Sequence, residues 1–346
     1  MPTTPRQQLI IRILGSHPNI QISEIKQRLT QEVSIPTLNR DLKELVSQGL
    51  LTKSGEGRNT TYRITSAYQL LNEHIGDSYF DKDIDEREGN KRFEPDILSL
   101  LETNNIFSEN ELKYLGELHA MFLEKIATIS PTLLQKETER LSIELSWKSS
   151  QIEGNTYSLL ETELLLSQKL MAKDKDKSEA TMLLNHKMAI DYLYDHRITL
   201  TPLKVRDIED IHSLLIQNLG VSKNLRKRPV GITGTTYTPP DNEFQIREYL
   251  ERACEVINNK DSVFEKALLA ILLISLIQPF EDGNKRTGRI TSNGILIENG
   301  YCALSYRGVQ PLDYKKAMIL FYEQNNVSAF KKLFIDQYAF AVRNYF

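Results

Sequence analysis

Cysteine is scarce in this chain of 346 residues: there are two, Cys254 and Cys302. They form no Cys-x-x-Cys pair and no metal-ligand spacing, which excludes a disulfide scaffold and a zinc or thioredoxin-like centre and fits a reducing compartment. Long apolar runs are missing too. The longest, Ala267 to Ile277, is broken by Ser275 and falls short of the roughly 18 residues that a spanning helix needs, so it reads as a buried core helix and no membrane partner is expected. The first residues lack the basic, apolar and small-residue succession of a secretion signal, and a cytoplasmic protein is the expectation. A net charge of −3 excludes a chain that is a polycation throughout.

With 40% hydrophobic and 26% charged residues, the composition is that of a globular protein long enough for two or three domains. Charge is unevenly spread. Residues 1–65 hold nine Lys/Arg against five Asp/Glu, an excess of four positive charges that leaves −7 for the remainder. A small basic head on an acidic body follows. Apolar spacing in the head predicts helices over Arg6–Gly15, Ile22–Leu29 and Pro36–Gln48, the last stopped by Gly49, and "LLTKSGEGRNTTYRI" reads as two strands around a Gly-Glu-Gly turn. This order resembles the winged helix-turn-helix family. The resemblance implies DNA contact through Thr37, Arg40 and Lys43 on the third helix and Arg58 near the wing tip, unless the module only packs or dimerises.

Residues 67–95 are polar and charge-rich and read as a linker or arm. From 96 onward the pattern is helical nearly throughout, so the chain is expected to be mainly α: a head at 1–66, a linker at 67–95 and a helical body at 96–346. Helices are predicted over Glu109–Ala127, Thr132–Gln151, Leu159–Ala172, Glu179–His196, Pro202–Leu219, Glu243–Asn258, Val263–Ile277, Asn284–Asn299, Pro311–Gln324 and Ala329–Asn344. One stretch, "GITGTTYTPPDNEF" at 231–244, breaks the helical rhythm. Its Thr/Tyr content and Pro-Pro stop predict a short hairpin.

The stretch "LLISLIQPFEDGNKRTGRI", residues 272–290, carries the chemistry. Pro279 ends the apolar helix at Gln278, and Gly283 permits a turn closed to other residues. The helix opening at Asn284 offers unpaired amides and a positive dipole end. Arg286 and Arg289, three residues apart, share a face and can fork onto successive phosphates. Asp282 adds a hard oxygen suited to Mg²⁺ on a polyphosphate. No Gly-Lys-Ser/Thr closes the turn, so this is not a P-loop.

The loop resembles instead the Fic family, whose signature is His-x-Phe-x-Asp/Glu-Gly-Asn-Gly/Lys-Arg-x-x-Arg. Every element is present except the first, where Gln278 replaces histidine. The resemblance implies a helical fold, Mg-ATP as ligand, and AMP transfer to a Ser, Thr or Tyr hydroxyl of a target protein. It implies Mg²⁺ on Asp282, a phosphate cradle of Gly283, Asn284 and Lys285, and outer-phosphate contacts from Arg286 and Arg289. Gly234, Thr235, Thr236, Tyr237 and Thr238 would form a flap that aligns the target by strand-like pairing. A homodimer is left open.

Upstream, Ser149-x-x-x-Glu153-Gly154-Asn155 matches the family's inhibitory helix motif. Physically, Glu153 at a helix C-terminus faces the negative dipole end and gains from a cation, for which Arg289 is expected. That pairing would occupy the arginine needed by the γ-phosphate. Gln278 raises the other doubt about activity. Imidazole can take a proton near neutrality, whereas an amide can only orient. Loss of a general base costs about 10²–10⁴ in rate. The chain is therefore expected to be either a weakened Fic-type transferase or a silent, nucleotide-sensing DNA-binding regulator. His186 and His212 fall on other predicted helices and are read as structural.

Overall fold

From Ala267 to Ile277 the helix Val263–Ile277 has Ser275 as its one polar residue, and a helix with no polar face must be surrounded. In the computed structural model, which describes residues 3–73, 77–195 and 199–346, its leucines and isoleucines are at most 1% exposed. Each such side chain contributes about 1.5–3 kcal/mol of transfer free energy before conformational entropy is set against it. This helix is the axis on which the site is built.

The chain divides into two compact units, Met1–Arg87 with Gln324–Ser328, and Glu88–Glu323 with Ala329–Phe346. In the first unit, α1 (Pro5–Ser16), α2 (Ile22–Arg28) and α3 (Ile35–Ser47) bury Ile10, Leu14, Ile25, Leu38, Leu42 and Leu45. Thr4 and Ser34 cap α1 and α3 by accepting from the third helical amide. Strands β1 (Ile20–Gln21), β2 (Leu51–Ser54) and β3 (Thr61–Ile64) form an antiparallel sheet in the order β1-β3-β2, with Leu51 opposite Ile64. Arg6 holds Asp41, the buried carboxylate on α3, at 2.5 Å. The stretch expected as a linker opens with a helix, α4 (Ser66–Leu71), capped by Thr65.

Among the described residues the second unit is helical: α5 (Asp96–Thr103), α6 (Glu109–Thr128), α7 (Pro131–Ile152), α8 (Leu159–Gln168), α9 (Lys177–Tyr194), α10 (Val205–Leu215), α11 (Glu243–Asn258), α12 (Val263–Ile277), α13 (Asn284–Glu298), α14 (Pro311–Gln324) and α15 (Ser328–Asn344). α12 packs on α11 and α13, and α13 meets α7, α9 and α10. Gly288 makes the α12–α13 approach close, because a Cβ there would lie 3.2 Å from the Ile271 backbone. Among the described residues no helix is long and apolar enough to cross a membrane.

Several boundaries differ from the sequence expectation. The last turn predicted for 159–172 is absent, since Lys169 takes a left-handed conformation that ends α8. α10 starts at Val205 rather than Pro202. His196, placed by the sequence at the end of α9, lies outside the described residues. The hairpin expected at 231–244 is not formed. Residues 231–240 run as irregular extended chain whose backbone makes one isolated parallel bridge, Thr238 with Arg92, before α11 begins. Its Thr/Tyr content gave β propensity, but the backbone bonds of Thr238 run to residues 91 and 93 rather than to a second arm of its own.

Candidate active site

α12 ends at Gln278, whose backbone is left-handed (φ 50°, ψ 60°). Pro279 disfavours continuation and Phe280 is driven inward, so the chain turns sharply. Gly283 then sits at φ 83° as the N-cap of α13, where a Cβ would lie 3.3 Å from Ile216. Asn284 stitches the turn: its Oδ1 accepts from the Phe280 amide at 2.8 Å, while its Nδ2 donates to Phe280 O at 2.8 Å and Gln278 Oε1 at 3.0 Å. Gln278 in turn donates through Nε2 to Ser275 O at 2.6 Å. Both ends of this amide are engaged, and neither has a basic lone pair.

The two arginines are buried. Arg286 is 2% exposed and donates from Nη2 to Asp282 Oδ2 at 3.0 Å, while its Nε and Nη1 have no hydrogen-bond partner among the described residues. Burial pushes its pKa below the ordinary arginine value, against the opposing pull of Asp282 and Glu153. Arg289 is fully buried; it donates to Ser149 Oγ and O at 2.9 Å each and to Glu153 Oε1 at 2.8 Å. Its guanidinium lies 5.1 Å from the Tyr314 ring centroid. Burial disfavours its charge, but Tyr314 and Glu153 outweigh that and hold the pKa above the ordinary range.

Glu153 is the C-cap of α7. Its second oxygen lies 3.6 Å from Lys285 Nζ. Burial would raise its pKa, yet Arg289, Lys285 and Arg286 together hold it below the ordinary carboxylate value. Gly154 follows at φ 102°. Asn155 fixes the helix end by donating to Glu179 O and accepting from the Tyr157 amide, both at 3.0 Å. Asp282 stays open, its side chain 61% exposed. Its Oδ1 accepts from the Gly283 amide at 2.6 Å.

The loop and the end of α7 therefore bring Gln278, Asp282 to Arg286, and Arg289 together with Ser149 and Glu153. Flap residues are tied in from the side. Tyr237 is buried and donates from its hydroxyl to Leu276 O at 3.0 Å. Thr235 Oγ1 donates to Glu323 Oε1 at 2.5 Å, and Gly234 adopts φ 91°. Thr236 is half-buried. Arg40 and Lys43 are exposed on α3 of the first unit, and Thr37 bonds its N-cap Ser34. The side chain of Arg58 lies outside the described residues.

Three residues of the site escaped the sequence reading. Arg226 is 1% exposed and donates from Nε to Gln278 O at 2.6 Å, from Nη1 to Arg228 O at 2.9 Å, and from Nη2 to Pro240 O. One guanidinium thus clamps the flap to the loop. His186 places Nε2 at 2.7 Å from Ser149 Oγ, inside the network that holds Arg289; burial and the two arginines keep it neutral. His212 stacks on Phe280 with ring centroids 3.6 Å apart and donates through Nε2 to Asp282 O at 3.0 Å. Both histidines read as structural from the sequence, which left their position relative to the loop open. No local pattern marks them, because each reaches the site through packing between helices.

Burial is the main cause that depresses His212 from 6.5 to about 4, with the Asp282 carbonyl partly opposing it. The folded state resists protonation, so the unfolded state binds more protons between those values and stability falls as pH drops through them. This group alone should cost on the order of 3 kcal/mol between pH 7 and pH 4, at about 1.4 kcal/mol per pH unit. Denaturant unfolding at both pH values checks this. The pH-dependent loss should shrink by about that amount in His212→Gln, and an equal loss in both proteins contradicts it.

Residues 202–296 match the Fic/DOC family. A probable protein adenylyltransferase of Aquifex aeolicus is 31% identical over 99 residues, covering 28% of this chain and 31% of that protein. A protein adenylyltransferase of Caenorhabditis elegans is 26% identical over 156 residues, covering 43% of this chain and 30% of its own length. The matches thus span about a third of these curated relatives. Among solved structures, residues 134–508 of Caenorhabditis elegans Fic-1 share the fold with a TM-score of 0.56 at 20% identity, covering 67% of this chain and 70% of that one. The glycine turn and both arginines fall inside the segment, residues 202–296, that matches the Fic/DOC family.

Proposed function

We propose that the turn at 278–289 binds Mg-ATP and that the protein is a Fic-type protein adenylyltransferase, self-inhibited by Glu153 and slowed by Gln278. One observation carries this reading: Arg286 is buried beside the N-terminus of α13 with two donor nitrogens unpaired among the described residues. An orphaned buried donor costs about 1–3 kcal/mol, a cost that makes sense where a phosphate completes the site. The first amides of α13 point the same way, since a helix cannot satisfy them internally.

Asp282 fits a magnesium ion. It is an exposed, hard carboxylate, and Mg²⁺ typically takes one or two carboxylates with phosphate and water supplying the rest. Among the described residues no three His, Cys, Asp or Glu side chains cluster as a metal site, so a metal here would rely on phosphate and water. When bound, it would neutralise phosphate charge. In the transfer, a target hydroxyl oxygen bonds the α-phosphorus and the bond to the α–β bridging oxygen breaks. Pyrophosphate leaves, and the hydroxyl proton must go to a base. Arg286 and Lys285 steady the phosphates. Arg289 is taken by Glu153, so the outer phosphate lacks its grip.

The test is Arg286→Met. Without nucleotide it should be more stable than the wild type by about 1–3 kcal/mol, because the orphaned donors are gone. It should also lose the rise in Tm that Mg-ATP gives the wild type. A variant that is less stable yet keeps the ATP-dependent rise would sink the proposal.

A second reading is favoured by the Gln278 hydrogen bonds: a silent nucleotide sensor that acts through DNA. The exposed Arg40 and Lys43 on α3, beside a three-stranded sheet, support duplex contact by the first unit. Anisotropy with a labelled duplex should show binding that weakens with salt, and Arg40→Ala/Lys43→Ala should flatten the salt slope by about 2. An unchanged slope argues against contact there.

A further inference from the structure

The flap edge is already paired. Thr238 donates its amide to Lys91 O at 2.9 Å, and its carbonyl accepts from the Phe93 amide at 3.1 Å. One residue bonding the two neighbours of Arg92 is the parallel ladder pattern. The register is fixed at both ends. The Asn90 amide donates to Glu323 O at 2.6 Å, the residue that also holds Thr235. Phe93 packs on Tyr249 with ring centroids 4.6 Å apart. Lys91 and Arg92 are exposed. The rail to which this strand adds is rigidly joined to the reactive loop, through Tyr237 to Leu276 O and through Arg226 from Pro240 O to Gln278 O.

Edge pairing of this kind is a general way to hold an extended peptide, with backbone bonds giving affinity and side chains giving selectivity. The strand seated here has one chemical peculiarity: residues 80–98 contain no serine, threonine or tyrosine. With the Thr238 edge taken as the place where an extended target segment pairs, we infer that residues 90–93 occupy it in cis as a stand-in without an acceptor hydroxyl. The inference rests on the transferase reading given above and adds a second restraint to Glu153. Glu153 engages an arginine of the nucleotide site; the strap blocks the acceptor side. A target must displace a tethered competitor whose effective concentration is in the millimolar range for a short connection. Weak, non-cognate strands are thereby excluded.

The test converts the stand-in into a substrate. In the full chain carrying Glu153→Gly and Gln278→His, Arg92→Thr is added and the protein is incubated with Mg-ATP. The new threonine oxygen would bond the α-phosphorus, pyrophosphate would leave, and the proton would pass to the imidazole installed at 278. Peptide mapping by mass spectrometry should find AMP on residue 92, at a rate per chain independent of protein concentration. Adding Phe93→Pro removes one of the two rail hydrogen bonds while favouring extended backbone at 92. It should cut labelling at 92 by about tenfold or more, the order expected when an intramolecular contact is released, and transfer to other hydroxyls should persist. Transfer to other hydroxyls with none at 92 overturns the strap.

If no hydroxyl anywhere is labelled, the transferase reading fails. Amide exchange then judges the strap separately. The Thr238 and Phe93 amides should be protected in the wild type, and Thr238 should lose about tenfold or more of its protection in Phe93→Pro. Unchanged protection at Thr238 overturns the strap.

Discussion

Restoring an imidazole at the mouth of the loop, by Gln278→His in the Glu153→Gly chain, should raise AMP transfer to protein hydroxyls by about 10²–10⁴ over Glu153→Gly alone. The backbone can take the change, because position 278 is left-handed at φ 50° and histidine is among the residues that tolerate this region. The side chain has partners waiting in Ser275 O and Asn284. The rate of the histidine protein should rise with pH through the imidazole range near 6.5 and level off once the base is neutral. The glutamine protein should show no such step, having no group at 278 that titrates there. The check is label from ATP followed over time at several pH values. A rate in Glu153→Gly already equal to that of the double variant would show that glutamine is no obstacle and that another group accepts the proton.

The second large effect belongs to Glu153→Gly alone, and it has two opposed parts. Arg289 is fully buried and, among the described residues, keeps Ser149 and Tyr314 once the carboxylate is gone. Unpairing a buried charge costs about 3–5 kcal/mol, and the remaining Ser149 bonds place the expected loss at about 3. The nucleotide-free variant should melt well below the wild type. Mg-ATP should then bind about 10- to 100-fold more tightly, because a charge-assisted contact worth about 1.5–3 kcal/mol no longer has to be broken first. Glu153→Gln, which keeps the shape and removes the charge, should fall between the two proteins in both measurements. A variant that loses stability without gaining affinity would make Glu153 a structural cap and nothing more.

Much of the body could be read from apolar spacing. Helices α11, α12 and α14 begin and end where the sequence puts them, because Asn242, Pro279 and Pro311 stand at or beside their ends and their apolar residues recur at helical spacing. The contact between Glu153 and Arg289 was legible for a different reason: residues 149–155 resemble the family's inhibitory motif, and an anion at a helix C-terminus gains from a cation. What escaped the sequence depends on where other elements lie. The Thr/Tyr-rich flap read as a hairpin, yet its backbone bonds run to residues 91–93, about 145 positions earlier in the chain. Arg226 has no neighbouring pattern; its role emerges only when four carbonyls from 277, 278, 228 and 240 converge on it. His212 and His186 lie on α10 and α9, and only the packing of those helices on α13 brings them beside the loop.

The central claim is that a glycine turn with one buried, half-satisfied guanidinium holds a triphosphate. Calorimetric titration of Mg-ATP into Glu153→Gly, with and without Arg286→Met, tests it most directly. Saturable binding at one site per chain is expected in the first protein and a loss of about tenfold or more in the second, as one charge-assisted contact implies. No heat of binding in Glu153→Gly, or equal affinity in the two proteins, would contradict it.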